Sequence, residues 1–172
     1  MKLVADGSTE DGVNTYDIGD ANFVMATVHF LLGNREQTKK HLEAGVKLRH
    51  GECQQLFGTF YQRGWIVTKN SRKAYVLIRD SARQGTPVGL FALSEFYENG
   101  WGDVSKNLPV AFVLRKLAVV RDGTSRFAFQ LVDLVRRMNE AEHEQVEKML
   151  TKIHQTSDCY AEKRIAAFVS RL

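Results

Sequence analysis

Proline is nearly absent from this chain. Pro87 and Pro109 are the only two in 172 residues, and no stretch of useful length alternates apolar and polar residues as a half-buried strand would. A β-sandwich or barrel, which needs many short strands and turns, is thereby excluded. Cysteine is equally scarce. Cys53 and Cys159 are far apart and have no partners at metal-ligand spacing, which excludes a disulfide framework and a zinc knuckle; both read as small buried hydrophobes. Long apolar runs are missing too. Phe23–Leu32 and Phe127–Val135 fall short of the roughly 20 residues a membrane span requires. The first residues carry Lys2 as their only positive charge, with no apolar stretch or small-residue cleavage site behind it, so no secretory signal is expected and the cytoplasm is the expected compartment.

Catalytic signatures are also lacking. There is no G-x-S-x-G elbow, and Ser94 occupies a helix-packing position instead. The histidines 29, 41, 50, 143 and 154 include no i,i+4 pair and no H-E-x-x-H, and His143 with Glu147 reads as a surface pair. Gly100-Trp101-Gly102 lacks the preceding strand and following lysine of a phosphate cradle. No enzyme activity, cofactor or metal is therefore expected.

What is present is a repeat. Phe57-Gly58-Thr59-Phe60-Tyr61-Gln62-Arg63-Gly64 returns as Leu93-Ser94-Glu95-Phe96-Tyr97-Glu98-Asn99-Gly100, 36 residues later. Cys53/Gly89 and Trp65/Trp101 keep the same interval. A period of this size marks units too small to bury their own apolar face, which must stack on neighbours. Apolar periodicity predicts helices over 20–32, 36–48, 51–63, 71–84, 87–99, 108–121, 125–138, 140–155 and 158–171. Gly33, Gly64 and Gly100 stand where helices end, and Asn70 or Ser71 and Asn107 where they begin. Cys53, Phe57, Phe60 and Tyr61 form one apolar stripe, and Gly89, Leu93, Phe96 and Tyr97 the next. Small residues, Gly58 and Ser94 on the stripes and Ala74, Ser81, Ala82, Ala111 and Ala118 opposite, predict close helix approach.

The string Cys53, Gly58, Tyr61, Gly64, Val67, Asn70, Ala74, Ser81, Ala82, Gly85 resembles the Sel-one-like repeat family, a relative of the tetratricopeptide repeats. The following unit, Gly89, Leu93, Ser94, Tyr97, Gly100-Trp101-Gly102, Val104, Asn107, Ala111, Ala118, Gly123, is similar to it as well. Ile66 departs from the second loop glycine, Asn70 and Asn107 from the acidic loop residue, and the third unit holds one extra residue. The resemblance implies an all-α, α/α solenoid of about four helix-turn-helix units, at 20–48, 49–84, 85–122 and 123–155, with a closing helix at 157–172. Residues 1–19, which hold one lysine against four acidic residues, are expected as a flexible acidic leader, leaving 20–172 as the single domain. Members of the superfamily linked to β-lactam binding are cysteine-rich, and two isolated cysteines do not carry that role over.

The resemblance further implies that the groove lined by the first helix of each hairpin is the working surface. Off-stripe positions there are Gln54, Gln55, Thr59 and Gln62, then Leu90, Phe91, Glu95 and Glu98, then Arg126, Gln130, Asp133 and Arg137. Neutral, aromatic-acidic and charged patches in a row suit a protein partner. Phe91 is either an anchor for that partner or packed on the preceding unit; Trp65 and Trp101 are expected to cover hairpin ends. Bacterial proteins of this kind act as adaptors or as cognate (immunity-type) inhibitors of effectors. The net charge of +4 supports an alternative, a basic nucleic-acid binder using Arg79, Arg83, Arg115, Lys116, Arg121, Arg126, Arg136 and Arg137, but these alternate with acidic residues and lack interleaved aromatics. An unfinished solenoid end leaves homodimerisation open.

Overall fold

The computed structural model describes residues 14–123, 127–154 and 161–172. Among them stand nine helices and no strand: α1 Thr15–Leu31, α2 Arg35–Lys47, α3 Gly51–Arg63, α4 Ser71–Arg83, α5 Pro87–Asn99, α6 Leu108–Asp122, α7 Phe129–Arg137, α8 Glu140–His154 and α9 Ala161–Arg171. The first three pairs form antiparallel hairpins that stack in order, α2 on α3 and α4 on α5, with α1, α3 and α5 side by side. The chain is an all-α solenoid.

The two strong repeats are built alike. Asn70 Oδ1 accepts from Lys73 N at 2.9 Å and Asn107 Oδ1 from Val110 N at 3.0 Å, each satisfying an amide that a helix start leaves orphaned. The same asparagines close the loops from behind, Asn70 N donating to Tyr61 O at 2.8 Å and Asn107 N to Tyr97 O at 2.7 Å. An acidic residue is not needed for this, since asparagine caps equally well. The second loop spans one residue more, and the excess is taken up at Gly102, whose φ of +65° is adopted most readily by a residue without Cβ. Gly58 meets the other requirement: a Cβ there would fall 2.6 Å from Ile78 Cγ1, so α3 and α4 approach closely because that side chain is absent.

Two apolar clusters follow the stack. One joins Ala26, Leu42, Cys53, Phe57 and Phe60; the larger runs from Ala74 and Ile78 through Leu93, Phe96 and Leu114 to Val146, Leu150, Ile165 and Val169. Tyr61, expected in the buried stripe with Tyr97, is only half-buried and packs against both clusters.

Two expectations change, and the closing helix finds its place. Helix α1 begins inside the supposed leader, because Asn14 Oδ1 caps Tyr16 N at 2.9 Å and Gly19 lies against the His50 ring, whose Nε2–H donates to Asp20 Oδ1 at 2.9 Å. The rest of that leader, 1–13, lies outside the described residues, as does Cys159. Helices α7 and α8, expected as a fourth hairpin, each pack on α6 instead. The closing helix α9 turns back onto α4, where Ile165 and Val169 enter the main cluster.

Candidate functional site

Helices α3 and α5 lie parallel, and their C-terminal halves border a cleft of about 450 Å³. Thr59, Gln62 and Glu95, three of the residues assigned to the groove from the sequence, meet there with Arg63, Trp65, Lys69 and Trp101. Thr59 is held by its own turn: Gln55 Nε2 donates to Thr59 Oγ1 at 3.0 Å, and that hydroxyl donates to Gln55 O at 3.1 Å. Gln62 Oε1 is buried without a hydrogen-bond donor, an unsatisfied acceptor of the sort that costs about 1–3 kcal/mol. Burial pushes the Glu95 carboxyl above the ordinary carboxylate range, with Arg115 and Arg63 partly opposing the shift. The two tryptophans differ. Trp101 meets Phe96 edge-on at 5.6 Å, a covering role; Trp65 stacks on Phe30 of the preceding hairpin at 5.8 Å and carries Arg63 over its ring at 5.0 Å, yet stays 45% exposed.

Beyond the cleft, α5 is fastened to α7 by a residue that sequence reasoning placed on a solvated basic face. Arg115 is 3% exposed. Its Nε donates to Ser94 Oγ at 3.2 Å, Nη1 to Gln130 O at 3.5 Å and Nη2 to Glu98 Oε2 at 2.6 Å, and its guanidinium lies 5.0 Å over the Phe91 ring. Ser94 Oγ in turn donates to Phe91 O at 2.6 Å, so this position fixes an arginine as well as sparing space. Arg137 completes the cluster by bridging Glu98 and Asp133. Burial alone would raise the Glu98 carboxyl, but hydrogen bonds from Arg115 and Arg137 hold it below the usual range.

The assigned residues therefore divide. Thr59, Gln62 and Glu95 line the cleft with Gln55 bonded to Thr59 behind them, and Glu98, Asp133 and Arg137 form the ionic cluster, with Gln130 exposed beside it. Two assignments to the open groove are corrected. Leu90 is fully buried in the main cluster, because its side of α5 faces α6. Gln54 is buried as well, its Oε1 accepting from Gln84 Nε2 at 2.6 Å, so it ties α3 to the end of α4. Phe91 is half-buried and stacks on Phe127 at 4.6 Å; it packs against the following unit, whereas the alternative to an anchor had been the preceding one. Arg126 lies outside the described residues. Missed altogether were Arg63, the last residue of α3, and Lys69 in the loop that follows it; the 36-residue interval of the tryptophans was the one available clue to the cleft's walls.

Among the described residues no cluster of potential metal ligands occurs, and no helix is long and apolar enough to cross a membrane. No protein-family model matches the chain, and neither does any curated protein. In structure the chain is similar to the crystal structure of c5321, a protective antigen present in uropathogenic Escherichia coli strains and displaying an SLR fold, with a TM-score of 0.73 at 18% identity. The match covers 90% of this chain but 32% of that one, so the chain spans about a third of that protein's length. The fold is thus the SLR fold, an α/α solenoid.

Proposed function

We propose that this chain is a non-enzymatic module that holds a protein partner in the groove of α3, α5 and α7. One observation carries the reading: residues picked from the repeat register alone, Thr59, Gln62 and Glu95, converge on one cleft walled by a half-exposed tryptophan. An open cleft with an apolar wall, an unsatisfied amide oxygen and a poorly solvated carboxyl suits a side chain from a structured partner. Beside it, α7 exposes Phe129 and Val132, further apolar area for a partner to cover. The finer role is an adaptor or a cognate inhibitor of a bacterial effector, and both act in the cytoplasm. The nucleic-acid alternative is weaker, since Arg115 and Arg137 are engaged with Glu98 and Arg121 Nε donates to Gly85 O.

Affinity capture of the tagged chain from its native lysate, with nuclease and at low and high salt, tests the reading. One protein retained at high salt in near-equal amount, and lost when Thr59→Arg fills the cleft while helical content stays unchanged, is the expected result. Recovery of only nuclease-sensitive, salt-labile material would transfer the assignment to nucleic acid.

Self-association is favoured by a separate observation. Val24, Val28 and Leu31 follow one another at helical spacing along α1 and remain 43–78% exposed, with Leu32 beside them, an apolar end that no other described element covers and that a second copy would cover.

A further inference from the structure

On another side of the molecule, α4, the α5–α6 loop and the end of α9 enclose a second cavity, of about 520 Å³. Arg72, Tyr75 and Arg79 enter it from α4 at i, i+3 and i+7, the spacing that puts them on one helix face. Tyr97 and Leu172 form the opposite wall. The hydroxyls there are already committed: Tyr97 Oη donates to Leu172 O at 3.3 Å and lies 3.2 Å from Tyr75 Oη, so Tyr75 supplies the proton of that second bond. The guanidinium groups are not committed. Among the described residues neither Arg72 nor Arg79 joins an ion pair, although Arg115 and Arg137 each find a carboxylate. Arg79 Nε is buried and lacks an acceptor. Its guanidinium is held in place by stacking 5.7 Å over the Tyr75 ring, so a donor fork is fixed in orientation before anything binds. Asp103 is the one acidic side chain lining the cavity; it is exposed and makes no ion pair with either arginine.

From this geometry we infer that the cavity between α4 and α9 is a binding site for the phosphate group of a small phosphorylated molecule, taken by Arg79 and Arg72. Two guanidinium groups on one wall match a dianion better than the single charge of a carboxylate. The cavity leaves room for an organic moiety beside Val76 and Val104. Arg79 supplies the oriented fork and Arg72 the second charge at the rim. Asp103 lowers affinity by facing the same space.

The test is an NMR titration of the full chain with inorganic phosphate, read at the arginine Nε–H resonances and held at constant ionic strength with chloride. Saturable shifts at Arg79 and Arg72 are expected, with affinity falling about tenfold in Arg79→Gln, falling in Arg72→Gln, rising several-fold in Asp103→Asn, and unchanged in Arg83→Gln. Arg72 is exposed, so its substitution leaves folding intact and keeps the test decisive should Arg79→Gln prove unstable. Three outcomes overturn the inference: no saturable shift, equal affinity in Arg72→Gln and the parent, or an equal response to acetate.

Discussion

Glu98 and Glu95, three residues apart on α5, illustrate how burial alone does not decide a carboxylate's behaviour. Among the described residues Glu98 is met by two guanidiniums and Glu95 by none within ion-pair distance, so the first is held below the ordinary range and burial keeps the second above it. The consequences for stability have opposite signs. Glu98's contribution is present above the unfolded carboxylate value of about 4.3 and is lost as pH falls through the lower folded one. Glu95 favours the folded state while protonated, and that contribution fades as pH rises from about 4.3 through its raised folded value. Urea unfolding followed from about pH 3 to 7 should show Glu98→Gln destabilised by about 3 kcal/mol at neutral pH, because Arg115 is left buried without its anion, with a shallower acid-side decline. Glu95→Gln should gain on the parent as pH rises; a parallel offset at every pH would contradict the assignment.

At the scale of elements, the hairpin is held by its loop as much as by its core. Asn107 closes its loop twice, through the side chain to Val110 N and through its amide to Tyr97 O. Asn107→Ala removes only the first bond and should cost about 1 kcal/mol in denaturant unfolding, the usual value for a lost cap. The closing helix is less expendable than its distance in sequence suggests. Val169 is fully buried against the main cluster, and Leu172 accepts from Tyr97, so α9 covers the side of α4 that no ordinary repeat neighbour occupies.

For the whole molecule, the decisive feature is that the two ends of the stack are finished differently. At one end α8 and α9 lay Val146, Leu150, Ile165 and Val169 over the core. At the other, α1 presents Val24, Val28, Leu31 and Leu32 to solvent. A dimer through α1 should be visible by sedimentation velocity as a concentration-dependent shift that Leu31→Glu abolishes without loss of helical content; a parent that stays monomeric at every concentration would remove the self-association reading.

The local features were legible in residue order, because they depend on near neighbours. Helix positions, the asparagine caps, the glycine ends and the stacking of the units centred on Tyr61 and Tyr97 follow from a 36-residue period and from spacings of three and four. The groove was legible in part, since register places Thr59, Gln62 and Glu95 on one face. Tertiary structure alone decided the rest. Only packing shows that Leu90 and Gln54 point inward, that Arg115 leaves the solvated face to join Ser94 and Glu98, and that α9 returns to α4 instead of extending the stack. Each of these rests on a contact between residues distant along the chain, such as the 75 residues that separate Tyr97 from Leu172. A repeating pattern specifies what each unit has in common, whereas these contacts arise where the units differ.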